Sequence, residues 1–195
     1  GAMLFLGGVK YRWFILGGLA MLLGLALILG AGGYEASRIT AWQDPFSDPT
    51  DDGYQIIQSL YAIGSGGLFG LGLGNGRQKY LYLPEEHNDY IFSIACEELG
   101  LAGAVGILIL YSLLILRGYW ISMHIRDRFL SLTVAGITTL TALQVFFNIG
   151  VVTNLLPSTG ISLPFFSYGG TALLIQLGEM GIILGASRQC SAGFL

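Results

Sequence analysis

The chain has 195 residues, of which 53% are hydrophobic and only 11% charged, with a formal net charge of −3. That balance lies outside the range of soluble globular domains and points to an integral membrane protein. A chain of this sign carries no excess of positive charge for a nucleic-acid partner.

The opening Gly1-Ala2-Met3 reads as a remnant of tag removal, and no cleavable leader with a small-residue cleavage site is expected after it. Charged residues fall in clumps, leaving Trp13 to Tyr34, Leu99 to Leu116 and Phe129 to Gly178 without Asp, Glu, Lys or Arg. A helix that crosses a bilayer needs about 20 such residues. The first gap predicts a span near residues 13–31.

A long connection follows over residues 32–88, and connections of that length are usually functional. Within it, YQIIQSLYAI from Tyr54 to Ile63 sets Ile56, Leu60 and Ile63 at helical spacing, which predicts a short amphipathic helix lying over the bundle at the membrane surface. Next comes GSGGLFGLGLGNG, Gly64 to Gly76, with seven glycines in thirteen residues. A GxGxxG-like spacing occurs there, yet no strand, crossover helix or distal acidic residue accompanies it, which argues against a dinucleotide loop. Two readings stay open. The glycines form a re-entrant turn that protein covers, or their N–H groups, with Arg77 and Lys79 just beyond, form a nest for an anionic phosphate.

LPEEHNDYIF, Leu83 to Phe92, then runs from water into an apolar segment. It places Glu85, Glu86, His87 and Asp89 at the lip of a membrane helix, where ionisable groups mark functional sites. The simpler reading of Asp89, or of Asn88, is a helix N-cap. For His87 it is a solvated surface residue. Oxygen ligands in this cluster also suit a divalent cation, the one cofactor the sequence suggests.

The second span is expected near residues 90–116, with Glu97 and Glu98 close to its outer end and at least one of them facing the bundle or a wet cavity. The third gap is too long for one helix. Pro157, Gly160, Pro164, Gly169 and Gly170 divide it into a span near 130–152, a non-helical elbow, and a span near 168–187 in which Glu179 should face inward. Cys96 and Cys190 are expected at opposite ends of the membrane and should not pair.

Four spans put both termini on one side. Lys10, Arg12, Arg117, Arg126, Arg128 and Arg188 fall on that side, against Arg38, Arg77 and Lys79 on the other. Basic short loops stay in the cytoplasm, so both termini are expected there and the acidic loop outside.

Four segments in order carry a resemblance: GYQIIQSLYAIGSGGLFGLGLGNG at 53–76, LPEEHNDYIF at 83–92, EELGLAG at 97–103 and NIGVVTNLLPSTGISLPFFSYGG at 148–170. The chain resembles the SEDS glycosyltransferases that build bacterial peptidoglycan, the group of FtsW, RodA and SpoVE. The resemblance implies an all-α membrane protein forming the last part of a fold of about ten spans, with four transmembrane helices, a long extracellular loop and the amino-terminal helices absent.

It further implies polymerisation of lipid II, the undecaprenyl-pyrophosphate-linked disaccharide, into glycan strands at the outer face of the plasma membrane, in cell division, elongation or sporulation. The aspartate of the family segment LPExHTDFIF corresponds to Asp89, here flanked by Asn88 and Tyr90 where threonine and phenylalanine are usual. Asp89 is thus the expected catalytic base. Glu85, His87, Arg77, Lys79, Gln58, Ser167, Gly169 and Gly170 are the expected substrate contacts. The resemblance also implies a class B penicillin-binding protein as partner. A lipid II flippase and an inactive scaffold of the cell-wall machinery remain as alternatives. Flipping favours ionisable groups at the midplane, where Glu179 is the clear example, and scaffolding needs no base.

Overall fold

A computed structural model of the chain describes residues 8, 10–30, 39, 41–47, 52–76 and 89–191. Among these it is all-helical: α1 (Tyr11–Gly30), a 3-10 turn at Pro45–Ser47, α2 (Asp52–Gly66), α3 (Ile91–His124), α4 (Arg128–Val152) and α5 (Gly170–Ser191). The last three are long and apolar enough to cross a membrane, and α1 is apolar over its shorter stretch Tyr11–Gly24. Leu16, Leu19, Met21 and Leu22 of α1 are exposed, as a lipid-facing helix requires.

α3 and α4 form an antiparallel hairpin. The tight turn between them is set by Asp127, whose side chain caps α4 by accepting from the Phe129 N–H at 3.1 Å. Two reciprocal bonds lock its closed end: Ser122 Oγ donates to the Ser131 carbonyl at 2.9 Å and Ser131 Oγ to the Ser122 carbonyl at 2.8 Å. Further along, Tyr119 and Thr139 hydroxyls pair at 2.8 Å, and Gly118 lies so close to Thr138 that a Cβ would overlap its side chain. Between helices in lipid there is little hydrophobic drive, so small residues and buried hydroxyl pairs of this kind supply the association.

α5 packs on both members of the hairpin. Ile121, Ile125, Val134, Ile183 and Ala186 pack at the closed end of the hairpin, while Tyr90, Phe92, Cys96, Val145, Val152 and Leu163 gather at the open end, where α2 also docks. α2 buries Ile56, Ile57 and Ala62, and the Ser59 hydroxyl donates to the Val152 carbonyl at 2.9 Å. The amphipathic helix expected from the sequence is therefore seated against the start of α3 and the end of α4. The Trp42 indole adds a bond to the Asn154 carbonyl at 3.1 Å.

The glycine-rich segment enters the fold through a break in α3. Gly100 sits at φ +68 and ψ −169, outside helical geometry, so the ladder bonds from Leu101 to Glu97 and from Ala102 to Glu98 are not made. Their partners come from the glycine segment instead. Leu101 and Ala102 N–H groups donate to the Gly67 and Leu68 carbonyls at 2.9 and 3.1 Å, and the Glu97 and Glu98 carbonyls accept from Leu71 and Gly72 N–H at 3.0 and 3.1 Å. All four orphaned groups are satisfied by one inserted strand of backbone.

Such an approach demands glycine on both sides. A Cβ at Gly70, itself at φ +78, would overlap the Glu98 carbonyl, and one at Gly100 would overlap the Gly70 nitrogen. The covered-turn reading of the glycines thus describes Gly66 to Gly72. The N–H groups of Leu71 and Gly72 are spent on α3.

Leu101–His124 alone extends about 36 Å at 1.5 Å per residue, long enough for a hydrocarbon core of about 30 Å. Glu97, only 1% exposed, and Glu98 bear on the glycine segment near Gly76 rather than on lipid. The helix runs on past Leu116 to His124, with Arg117 over the Trp120 ring at 4.3 Å and Trp120 stacked on His124 at 4.2 Å between centroids. Glu179 of α5 is half-buried. Both cysteines are free.

Candidate functional site

Asp89 lies in the turn that leads into α3. The cap position is taken by Tyr90, whose own side chain makes no capping bond. Asp89 stands one residue ahead of that position, and Asn88 lies outside the described residues. Ser93 stabilises the turn, its N–H and Oγ both directed to the Tyr90 carbonyl at 3.0 and 2.6 Å.

What fixes Asp89 is a residue from another helix. Asn148, 1% exposed near the end of α4, donates both Nδ2 protons, one to the Asp89 carbonyl at 2.7 Å and one to the Ile161 carbonyl at 2.8 Å. One carboxamide thereby ties the start of α3 to the elbow that follows α4. Gly160, at φ +65, takes the tight turn there and leaves room for the carboxylate: a Cβ would sit 3.4 Å from Asp89 Oδ2.

Side chains hold the elbow itself. The Asn154 backbone at φ +57 ends α4, and Gly150 accepts from both Leu155 and Leu156 N–H at 2.7 and 2.9 Å. Ser167 Oγ accepts from Leu163 N–H at 2.7 Å, Gln176 Oε1 from Phe165 N–H at 2.8 Å, and the Tyr111 hydroxyl of α3 donates to the Pro164 carbonyl. Phe165 is held at φ +65, a conformation a bulky residue keeps only when its surroundings impose it.

These restraints enclose a cleft of about 230 Å³, with Asp89 on one wall, Ser162, Leu163, Ser167, Tyr168 and Gly169 from the elbow, and Ala172 and Gln176 from α5. It shares Ser167, Tyr168 and Gly169 with a wider groove of about 590 Å³ lined also by Ile91, Phe165, Phe166, Gly170 and Leu173. A carboxylate at a polar cleft that opens onto an apolar groove suits a ligand with a polar head and an apolar tail.

Of the residues singled out in the sequence, Asp89, Ser167 and Gly169 meet in the cleft and Gly170 lines the adjoining groove. Gln58 is half-buried on α2 and is not among the cleft residues. Arg77, Lys79, Glu85 and His87 lie outside the described residues. Among the described residues no group of three His, Cys, Asp or Glu side chains is placed to hold a metal ion. Sequence reasoning missed Gln176 and Tyr168 as cleft residues and did not assign Asn148 its clamp. The signal for Gln176 was a carboxamide inside an apolar helix; for Asn148 no local pattern indicated which carbonyls it would reach.

Comparison with known proteins bears on the family. Stage V sporulation protein E of Bacillus subtilis is 47% identical over 186 residues, covering 95% of this chain and 51% of that protein. Proteins described as probable peptidoglycan glycosyltransferase FtsW from Geobacter sp. (strain M18) and Legionella pneumophila are 45% and 44% identical, covering 96% and 94% of this chain and 51% and 47% of theirs. The chain thus spans about half the length of the curated relatives it matches.

Among solved structures, one described by the coordination of polymerization and crosslinking in a peptidoglycan synthase complex superposes with a TM-score of 0.73 at 31% identity, over 95% of this chain and 52% of that one. A substituted form of the rod shape determining protein RodA of Thermus thermophilus gives 0.52 at 35% identity, over 67% of this chain and 39% of that one. The profile of the FtsW/RodA/SpoVE family, described as cell cycle proteins, matches residues 1–192, and this multi-pass membrane chain belongs to that family.

Proposed function

We propose that the chain carries the catalytic cleft of a peptidoglycan glycosyltransferase that polymerises lipid II, with Asp89 as general base. The observation that carries this reading is the position of the Asp89 carboxylate, in a polar cleft continuous with an apolar groove and tied to the elbow through Asn148. In the reaction, the acceptor sugar hydroxyl gives its proton to Asp89 as its oxygen bonds to the anomeric carbon of the donor sugar. The bond from that carbon to the diphosphate breaks, and its electron pair leaves with undecaprenyl diphosphate. A diphosphate needs little acid assistance, so a single carboxylate suffices, and positioned base catalysis contributes roughly 10²–10⁴-fold. The groove beside the cleft suits the isoprenoid chain.

In this reading the open end of the hairpin, with Asp89, faces outward. The closed end, with Arg126 and Arg128, lies in the cytoplasm with both termini. The elbow and α2 would adjoin a single-pass class B penicillin-binding protein. Glu85, His87, Arg77 and Lys79 complete the expected set of substrate contacts.

The test is polymerisation of labelled lipid II by the chain in proteoliposomes, co-expressed with the remaining half of stage V sporulation protein E because the chain spans about half of that relative. Asp89→Asn is expected to lose at least 10²-fold in turnover with binding retained. Equal polymer from Asp89→Asn and the parent chain would sink the reading.

A further inference from the structure

Six residues beyond Gly170, about 9 Å along α5 at 1.5 Å per residue, the apolar run TALLIQLG carries Gln176, 8% exposed. A carboxamide in a membrane helix is costly unless its polar atoms are used, and such residues face the protein interior or a wet cavity. Half of this one is used, since its oxygen accepts from the Phe165 N–H at 2.8 Å.

That bond also fixes the other half. A backbone N–H can only donate, so the oxygen must face Phe165 and the nitrogen, with two donor protons, is turned away from it. Gln176 lines the cleft that holds Asp89, and among the described residues no side chain or carbonyl accepts from its Nε2. The cleft, at about 230 Å³, far exceeds the roughly 30 Å³ of one water, so it has room for a ligand group. A proton acceptor and a pair of neutral donors therefore face the same space.

We infer that Gln176 is a substrate contact: its Nε2 donates to a neutral oxygen, hydroxyl or acetamido carbonyl, of the sugar whose hydroxyl Asp89 deprotonates. This rests on the reading of Asp89 given above. A sugar oxygen is favoured over a diphosphate oxygen because the Asp89 carboxylate shares the cleft and repels an anion, and a carboxamide brings no charge to offset that. Donating from a desolvated site, Gln176 also discriminates: a sugar lacking that oxygen leaves a buried donor unpaired.

Two variants separate substrate binding from a purely structural tether. Gln176→Glu keeps an oxygen for the Phe165 N–H and removes the donor protons; Gln176→Met removes both. Each is assayed for lipid II polymerisation in the preparation described above, for thermal unfolding, and for carbodiimide modification of Asp89 against pH, read by mass spectrometry without need of turnover. Gln176→Glu is expected to unfold with the parent at a pH low enough to keep the new carboxyl protonated, to raise KM about tenfold, the size of one lost hydrogen bond, and to raise the pH midpoint of Asp89 modification because two like charges share one cleft. Gln176→Met is expected to raise KM similarly and to lower the unfolding temperature.

Parental KM in Gln176→Glu overturns the inference, whether the midpoint moves or not. An unmoved midpoint also overturns it, because the side chain then does not face Asp89. If Asp89→Asn polymerises like the parent while Gln176→Glu still raises KM, the base assignment fails and the sugar contact stands.

Discussion

Asn148→Ala probes the step on which the cleft depends. The carboxamide is 1% exposed and gives both protons to main-chain carbonyls, those of Asp89 and Ile161, at 2.7 and 2.8 Å. A buried polar group left unpaired costs about 1–3 kcal/mol. Both carbonyls belong to half-buried residues beside the cleft, where water can replace part of the loss, so the lower end applies to each and the sum is about 2–3 kcal/mol. For a chain of this length that lowers the unfolding temperature by roughly 4–12 °C. The kinetic effect is larger, because releasing the Asp89 backbone lets its carboxylate wander, and about 1 Å of misplacement costs about 10²-fold. Turnover of lipid II should fall by roughly 10–100-fold with KM little changed. Asn148→Asp should be worse than Asn148→Ala, since an ionised carboxylate sets oxygens against two carbonyl oxygens. Parental unfolding temperature and turnover in Asn148→Ala would refute the clamp.

Gly70→Ala should disrupt the insertion of the glycine segment into α3, because the left-handed φ of +78 and the Glu98 carbonyl both exclude a Cβ. A loss of at least about 2 kcal/mol in unfolding measurements is expected, with faster hydrogen exchange at Leu101 and Ala102, whereas Gly64→Ala, which meets nothing within 4 Å, should be neutral or slightly stabilising. Tyr111→Phe removes the donor to the buried Pro164 carbonyl and should cost about 1–2 kcal/mol of stability; an unchanged unfolding temperature would show that the elbow does not depend on this bond.

Much of the molecule was legible before any coordinate. Apolar runs free of charge marked the long helices, since no other element satisfies its own backbone in hydrocarbon. Pro157, Gly160 and Pro164 marked the elbow, because a helix cannot pass through them. The spacing of Ile56, Leu60 and Ile63 marked α2, and the ordered segments around Asp89 marked the family.

Tertiary structure alone decided what those pieces do to one another. The sequence expected at least one of Glu97 and Glu98 to face inward, but not that an inserted backbone at Gly100 breaks the helix beside them and brings both toward the glycine segment. It marked the glycines as a turn without showing what they approach, and only the structure brings Gly70 against Gly100. Local patterns report hydrogen bonds within a helix or a turn. The bonds that shape this cleft join Asn148 to Asp89 across 59 positions and Tyr111 to Pro164 across 53, and no periodicity in the chain encodes which distant carbonyl a buried side chain will reach.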